Sequence, residues 1–343
     1  MLNKIMRQSI LFTIVSIVII FSVYILSSFD LYGISKDSDL QLKIMSDSCI
    51  FNQGNHVAFT ALEKWDGNLY LAFREGMGHR SVSSLDRGKI RILKREKDSW
   101  KTEIIFSHKT IDLRDPSFLI WKNSLYVYTV NGFFSKLTNK GWSHLHPIIH
   151  DVNHPIGIWK IREYKNTLYG IGYRSGKWPI LLSSIDGINW KTVTEFCIGG
   201  DASEGDLIFK GDSVFTCLRI DNPIGSNSMW GKSKYPFNCF EWRLMNVSIA
   251  SPELFLEPKS KKILLAGREY DFSKDKVKKI VNVSLFSIDT NGIDNRLYIF
   301  NTGIWGDKGY PSLCNMDDFL YMSYYLGDSQ TGIRLATMKM EFE

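Results

Sequence analysis

The stretch DGNLYLAFRE (66–75) places a short apolar run directly after a polar Asp-Gly pair. Such a pair before an apolar or aromatic run is typical of a β-strand entered through a tight turn. The same arrangement recurs along the chain in KNSLYVYTV (122–130), KNTLYGIGYR (165–174), KGDSVFTCLR (210–219), KSKKILLAGRE (259–269) and DDFLYMSYY (317–325). The six copies predict six equivalent strands in one repeating architecture.

The spacing of the copies predicts the architecture. Their first apolar residues lie 43 to 57 residues apart, close to the roughly 40–50 residues of a four-stranded propeller blade: Leu69, Leu125, Leu168, Val214, Ile263 and Leu320. Capped runs with 3.6-residue periodicity are nearly absent beyond the N-terminus. We therefore predict an all-β, six-bladed β-propeller, or a five-bladed one if one copy is only a closing strand. A β-sandwich would give no reason for this period.

The N-terminus has a different composition, because residues 8–29 carry no charge and are rich in Ile, Val, Leu and Phe. About 20 apolar residues span a bilayer as a helix. The alternative, a cleaved signal peptide, has an apolar region of only about 7–15 residues. We predict a cytoplasmic stub and transmembrane anchor over 1–29, a linker and first strand over 30–50, and a β-propeller domain over 51–343.

The charges around the apolar run predict its orientation. Lys4 and Arg7 precede it, whereas Asp30, Lys36 and Asp37 follow it. Basic residues stay on the cytoplasmic side of a membrane. We therefore expect a single-pass protein with a cytoplasmic N-terminus and an extracytoplasmic propeller, or a secreted propeller if the segment is cleaved.

Composition excludes several classes of protein. The chain has 343 residues, 44% hydrophobic, and a net charge of +6 with basic residues scattered among acidic ones. A disordered chain and a nucleic-acid-binding protein are not expected from this pattern. The cysteines are widely spaced, and the histidines at 144, 146, 150 and 154 surround prolines in a loop pattern. We expect no metal and no cofactor.

Three arginines share one position in the repeat. Arg74, Arg219 and Arg268 each follow the first apolar residue of their copy by five residues. Equivalent positions of different blades form a ring about the axis of a propeller. Guanidinium groups that converge there favour a carboxylate guest, which accepts paired hydrogen bonds from them. The alternative is that they form weak surface pairs with neighbours such as Glu75 and Glu269.

Several segments occur in the order found in one known family: AFREGMGH (72–79), DLRDPSF (112–118), SSIDGINW (183–190), SEGDLIFKGDSVFTCLR (203–219), LLAGRE (264–269) and GYPSLCNMDDFLYMSYY (309–325). Over most of residues 55–340 the chain resembles the sialidase-like six-bladed propellers, the exo-α-sialidase or BNR-repeat glycosyl hydrolases. SSIDGINW is similar to the Asp-box of this family, a motif that stabilises a turn and indicates the fold but not catalysis.

The resemblance implies a membrane-anchored, retaining glycoside hydrolase that acts on a terminal acidic sugar such as a sialoside. It implies that Tyr310 is the nucleophile and Glu204 its activating base. It also implies that Asp86 is the general acid, with His79 behind it. A tyrosine suits this task, because a carboxylate nucleophile would be repelled by the carboxylate of the sugar.

The resemblance further implies which residues bind the substrate. Arg74, Arg219 and Arg268 would hold its carboxylate, and Arg114 and Asp115 would contact the sugar. The alternative from another class of protein is a membrane-tethered propeller without catalysis, which binds an acidic glycan or a protein partner. Such a protein would retain the arginines but would not need Tyr310 or Glu204.

Overall fold

The computed structural model describes residues 40–341, except 54–55, 84, 175, 199–200, 223–225, 272–279, 305 and 328–331. The chain divides into two units, Met1–Asp37 and Ser38–Glu343. The first unit, with the predicted anchor at 8–29, lies outside the described residues. Within the described residues there is no helix, and hence none long and apolar enough to cross a membrane.

The first half of the domain contains the N-terminal strand and three blades. The chain begins with β1 (Gln41–Phe51). Blade 1 contains β2 (His56–Trp65), β3 (Asn68–Gly76), β4 (Lys89–Glu96) and β5 (Ser99–Phe106). Blade 2 contains β6 (Pro116–Trp121), β7 (Ser124–Thr129), β8 (Phe133–Thr138), β9 (Gly141–Trp142) and β10 (His146–Pro147). Blade 3 contains β11 (Ile149–His150), β12 (Gly157–Tyr164), β13 (Thr167–Tyr173), β14 (Ile180–Ser184) and β15 (Asn189–Glu195).

The second half forms three further blades. Blade 4 contains β16 (Asp201–Lys210), β17 (Ser213–Asn222), β18 (Met229–Lys234) and β19 (Glu241–Leu244). Blade 5 contains β20 (Ser248–Leu256), β21 (Ile263–Asp271), β22 (Ile280–Ile288) and β23 (Asp294–Ile304). Blade 6 contains β24 (Lys308–Met316), β25 (Phe319–Leu326) and β26 (Gly332–Glu341), and β1 completes it.

The blades close into a ring. The inner strands β2, β6, β12, β16, β20 and β24 each contact the next one, and β24 contacts β2. Each blade continues outward from its inner strand through the strands that follow it in the chain, and β11 and β1 are added at the outer edges of blades 3 and 6. The six-bladed prediction is therefore confirmed, and the five-bladed alternative is excluded.

The six sequence copies are the second strands of the blades: β3, β7, β13, β17, β21 and β25. Each begins after a turn that contains residues with positive φ, for example Asp66 (47°), Gly67 (72°), Asn123 (53°) and Asn166 (64°). Two-residue hairpin turns require this conformation, which Gly, Asn and Asp adopt most readily. The recurrence of these residues before each apolar run is thus a property of the inner hairpin of a blade.

The inner strands carry bulges at similar positions. In four blades, two consecutive residues of the inner strand lie opposite a single residue of the next strand. These pairs are Phe59 and Thr60, Ser203 and Glu204, Ser251 and Pro252, and Tyr310 and Pro311. The backbone φ is positive at Phe59 (60°), Ser251 (47°) and Tyr310 (49°). A bulge bends its strand and redirects side chains. These bulges therefore set which side chains face the centre of the ring.

Strand pairing closes the ring, because β1 pairs antiparallel with β26 in blade 6. Asp47 on β1 bridges this junction. Its carboxylate accepts hydrogen bonds from the hydroxyl of Tyr324 at 2.6 Å and from Nε of Arg334 at 3.0 Å. Arg334 also donates to the backbone carbonyl of Asp47 at 2.9 Å. Blade 6 is therefore held by one ionic group in addition to the strand pairing.

We expect Asp47→Ala to lower the free energy of unfolding by about 2 kcal/mol, since it removes hydrogen bonds to a charged group and leaves the Tyr324 hydroxyl without its acceptor. Urea unfolding of the full-length protein measures the change. The control is Glu103→Ala, which removes an exposed carboxylate from β5 and should change stability by less than about 0.5 kcal/mol. Equal stability of the two variants would contradict a closing role for Asp47.

Candidate functional site

A small cavity lies where the inner strands converge. Its lining comes from the inner strands of five blades and includes Phe59, Asp115, Trp159, Lys160, Ser251 and Tyr310. The bulges described above supply Phe59, Ser251 and Tyr310. The cavity is thus built from side chains that the chain brings together from distant repeats.

Tyr310 and Glu204 form a buried hydrogen-bonded pair. The Tyr310 hydroxyl donates to Oε1 of Glu204. The other carboxylate oxygen, Oε2, accepts from the backbone amide of Ser251 at 2.6 Å and lies 3.1 Å from Nη1 of Arg219. Burial by itself would raise the pKa of Glu204, but the Arg219 guanidinium and the Tyr310 hydroxyl hold it below its usual value. Glu204 is therefore an ionised acceptor at neutral pH.

Tyr310 is fixed on three sides. Thr60 donates to its carbonyl at 2.7 Å, and its amide donates to Oγ of Ser251 at 3.3 Å. The Arg268 guanidinium lies over its ring, 5.0 Å from the centroid, within range of a cation–π interaction. Burial raises the pKa of Tyr310 well above its usual value, and the charge of Glu204 raises it further. Tyr310 therefore keeps its proton while Glu204 stands ready to accept it.

Arg219 and Arg268 both contact this pair, and each has a carboxylate of its own. Nε of Arg219 lies 2.7 Å from Oδ1 of Asp221. Nη2 of Arg268 donates to the hydroxyl of Tyr325 at 2.9 Å and lies 3.5 Å from Asp307. The two guanidinium groups are therefore compensated without a bound anion, which resolves their mutual repulsion.

Arg74 is fully buried and bound elsewhere. Its Nε donates to Asp112 at 2.9 Å, and its Nη1 donates to the carbonyl of Gly78 at 2.7 Å. A Cβ at Gly88 would lie 2.2 Å from Nε of Arg74, so the β3–β4 loop covers the guanidinium closely. Among the described residues, Arg74 makes no hydrogen bond or ion pair with Tyr310, although its charge acts on Asp115.

The strand register explains part of this difference. Arg74 and Arg268 each pair with the residue that precedes a bulge, Ala58 and Ala250. In blade 4 that position belongs to Ile220, and Arg219 lies opposite the bulge. The equal spacing of the three arginines in the sequence therefore does not give equal positions relative to the bulges.

The glutamates that follow Arg74 and Arg268 in the sequence form ion pairs with other arginines. Glu75 lies 2.9 Å from Nε of Arg91, and Glu269 contacts Arg296. The surface pairs of Arg74 with Glu75 and of Arg268 with Glu269 are therefore not the ones that form.

Asp115 lines the cavity directly before β6, with φ at 44°. Burial raises its pKa to about 7, despite the nearby Arg114 guanidinium. Its Oδ1 is buried and has no hydrogen-bond partner among the described residues. An unpaired buried oxygen costs free energy unless something binds it. Asp115 can thus present a protonated carboxyl group to a ligand in the cavity.

Asp86, His79 and Arg114 lie near the β3–β4 loop. Asp86 is partly exposed, and its Oδ1 accepts from the amide of Met77 at 2.8 Å. Nδ1 of His79 lies 2.9 Å from Asp307. Arg114 donates to the carbonyl of His79 at 2.9 Å and lies over the ring of Phe59. His79 and Arg114 therefore form part of one rim, while Asp86 braces the loop.

Five residues in or beside the cavity were not predicted from the sequence: His56, Lys160, Ser251, Asp307 and Tyr325. A signal for part of this set was present. The segments DPSF (115–118), SPEL (251–254) and YPSL (310–313) share a proline and an apolar residue at the same offsets. Each begins with a cavity residue that lies on an inner strand or directly before one. His56, Asp307 and Tyr325 have no such pattern, because they meet only in the folded ring.

The chain is similar in structure to known proteins, although its sequence identity to them is low. No family model and no curated protein sequence matches the chain. Among solved structures, it is similar to a Trypanosoma rangeli sialidase in complex with the inhibitor DANA (TM-score 0.59, 13% identity, 83% of this chain and 55% of that one). It is also similar to the NanB sialidase from Streptococcus pneumoniae (0.60, 10%, 88% and 70%) and to the phage phi92 endosialidase (0.59, 10%, 89% and 69%).

The chain thus spans 55% of the length of the trypanosomal sialidase. At identities of 10–13%, the similarity concerns the arrangement of the blades. It agrees with the order of motifs in the sequence and with the ring of six sheets. The chain therefore has the six-bladed β-propeller fold of the sialidases.

Proposed function

We propose that the protein is a membrane-anchored glycoside hydrolase of sialidase type, which removes a terminal acidic sugar with retention of configuration. The observation that carries the proposal is the buried pair of Tyr310 and Glu204, flanked by Arg219 and Arg268. Structures with this fold include sialidases solved with sialic acid and with DANA. A hydroxyl, a base and two guanidinium groups are what hydrolysis of a carboxylated sugar requires.

The reaction begins with attack by Tyr310. Its oxygen forms a bond to the anomeric carbon as its proton passes to Glu204, which already accepts the hydrogen bond. The bond from that carbon to the leaving oxygen breaks, and a general acid protonates this oxygen. Water then attacks the anomeric carbon and gives a proton to the conjugate base of that acid. The bond from this carbon to the Tyr310 oxygen breaks, and Glu204 returns its proton to that oxygen. Two displacements at one carbon give retention.

The arginines act on the charge of the substrate. A carboxylate that enters the cavity can exchange with the internal partners of Arg219 and Arg268, Asp221 and Asp307. The guanidinium over the Tyr310 ring also favours negative charge on its oxygen. Arg74 supports this site through its field on Asp115 and by holding the β3–β4 loop.

Two carboxyl groups are candidates for the general acid. The sequence resemblance implies Asp86, which braces a loop by accepting from Met77. We propose Asp115 instead, because it lines the same cavity as Tyr310 and burial raises its pKa to about 7. A general acid works best when its pKa lies near the working pH.

We expect Tyr310→Phe to lower the hydrolysis of a fluorogenic sialoside by more than about 10³-fold, since no oxygen remains to attack. Glu204→Gln should lower it about 10²–10⁴-fold, because the amide cannot accept the proton. The kcat/KM of the full-length protein is measured in each case. The control Tyr298→Phe changes an exposed tyrosine on β23 and should leave activity unchanged.

Activity of Tyr310→Phe equal to that of the wild type would overturn the nucleophile assignment. A folded wild-type protein that binds sialic acid without releasing it from sialosides would favour the non-catalytic, glycan-binding propeller.

We expect kcat/KM to fall about tenfold for each pH unit above 7, because ionisation of Asp115 removes the proton that it donates. Asp115→Asn should abolish this pH dependence. It should also slow an alkyl sialoside about 10²–10⁴-fold and an activated aryl sialoside much less, because an aryl leaving group needs little protonation. If Asp86→Asn has this leaving-group signature and Asp115→Asn lacks it, Asp86 is the acid.

We also propose that residues 8–29 anchor the protein with its propeller outside the cytoplasm, since this uncharged run follows Lys4 and Arg7. We expect the full-length protein to remain in the membrane pellet after alkaline extraction. In cells whose outer layer has been permeabilised, added protease should digest the propeller. The same treatment should spare a tag at the N-terminus, because the cytoplasmic membrane protects it. Release into the soluble fraction with loss of that tag would instead support a cleaved signal peptide.

A further inference from the structure

A second polar cluster lies beside the proposed catalytic pair. It contains His56 at the start of β2, His79 in the β3–β4 loop and Asp307 directly before β24. Nε2 of His56 lies 2.6 Å from Oδ2 of Asp307, and Nδ1 of His79 lies 2.9 Å from the same oxygen. The three atoms all lie within 4.8 Å of one another. Three segments that are distant in the sequence thus bring two imidazole nitrogens and one carboxylate oxygen close together.

The separations fit the coordination sphere of one ion. Ligands about 2.0–2.1 Å from a common ion lie about 2.9–3.4 Å apart in octahedral or tetrahedral geometry. The two nitrogen–oxygen distances of 2.6 and 2.9 Å need a slight opening, and the two imidazole nitrogens lie within 4.8 Å of each other, so ion binding requires a small rearrangement of the cluster. Two imidazoles with one carboxylate are a donor set typical of zinc and other first-row transition metals, whereas calcium and magnesium prefer oxygen ligands.

The three side chains of the cluster are partly buried, and part of the cluster is accessible to solvent. The His56 side chain is 10% exposed, whereas His79 is 36% and Asp307 24% exposed. The second oxygen of Asp307 accepts from the Tyr325 hydroxyl, and such an outer contact orients a ligating carboxylate. The side open to solvent lies at His79, where a water or a substrate group can complete the coordination.

The cluster is joined to the proposed catalytic pair. Tyr325 accepts from Arg268, which lies over the ring of Tyr310. The ring of Phe59 packs 5.2 Å from that of His79 and 4.6 Å from that of Tyr310. An ion held by Asp307 would therefore fix the same carboxylate that compensates Arg268. The Arg268 charge weakens binding, but the Asp307 carboxylate lies between it and the imidazoles.

We propose that His56, His79 and Asp307 bind one divalent transition-metal ion of the Zn²⁺ class, with a coordination position open to solvent beside His79. This inference does not depend on the proposed hydrolysis, because it rests on the ligand atoms alone. The ion would tie the β3–β4 loop to the segment before β24 at the rim of the cavity.

Metal binding to the full-length protein tests the proposal. The protein is purified in detergent, stripped with chelator and titrated with Co²⁺, whose visible absorption reports nitrogen ligands, and Zn²⁺ is then added as a competitor. We expect one equivalent to bind. His79→Gln and Asp307→Asn should each weaken binding by at least about 100-fold, beyond the roughly 10–100-fold that loss of an outer contact costs. The control His144→Gln removes an exposed histidine of blade 2 and should leave affinity unchanged.

Circular dichroism of each variant checks folding, and the partly exposed His79 provides a test if Asp307→Asn does not fold. A folded wild-type protein that binds no Co²⁺ or Zn²⁺ at millimolar concentration would overturn the proposal. So would equal affinity of the wild type and His79→Gln, or a loss in His144→Gln as large as that in His79→Gln. In those cases the cluster is a hydrogen-bonded clamp on Asp307.

Discussion

The hydrogen bond between the Tyr310 hydroxyl and the buried Glu204 carboxylate is the interaction on which the centre of the molecule depends. A carboxylate removed from water is costly unless donors surround it. Here the amide of Ser251 and the Arg219 guanidinium complete the set. Glu204, Ser251 and Tyr310 belong to different blades, so their partnership requires the closed ring. Bulges on their inner strands direct them toward the axis.

Charge compensation is the second organising feature. Arg219, Arg268 and Arg74 each have an internal carboxylate, from Asp221, Asp307 and Asp112. This explains how a propeller can concentrate guanidinium groups near its axis and remain folded without a ligand. Under the proposed function, an acidic sugar would compete with groups of the protein itself, so affinity for it would be a difference between two sets of ion pairs.

The fold could be predicted because it is repeated. The turn before each copy needs positive φ, which restricts it to residues such as Asp66, Gly67 and Asn123, and the strand behind it is buried. This combination of turn and buried strand occurs once in each of the six blades, and it therefore gives the sequence a regular period. The site was predicted less completely. Tyr310 and Glu204 were identified through resemblance, and the X-Pro pattern at 115, 251 and 310 could have added Ser251.

Sequence alone determined the six strands, their spacing and the residue types available for chemistry, since these follow from local backbone preferences and hydrophobic pattern. Only the tertiary structure decided which charges meet. It buried Arg74 against Asp112, gave Asp115 a raised pKa, and brought His56 to Asp307 across 251 residues. Such pairings depend on ring closure and on one-residue shifts at bulges, which reverse the face of a side chain without altering composition or period.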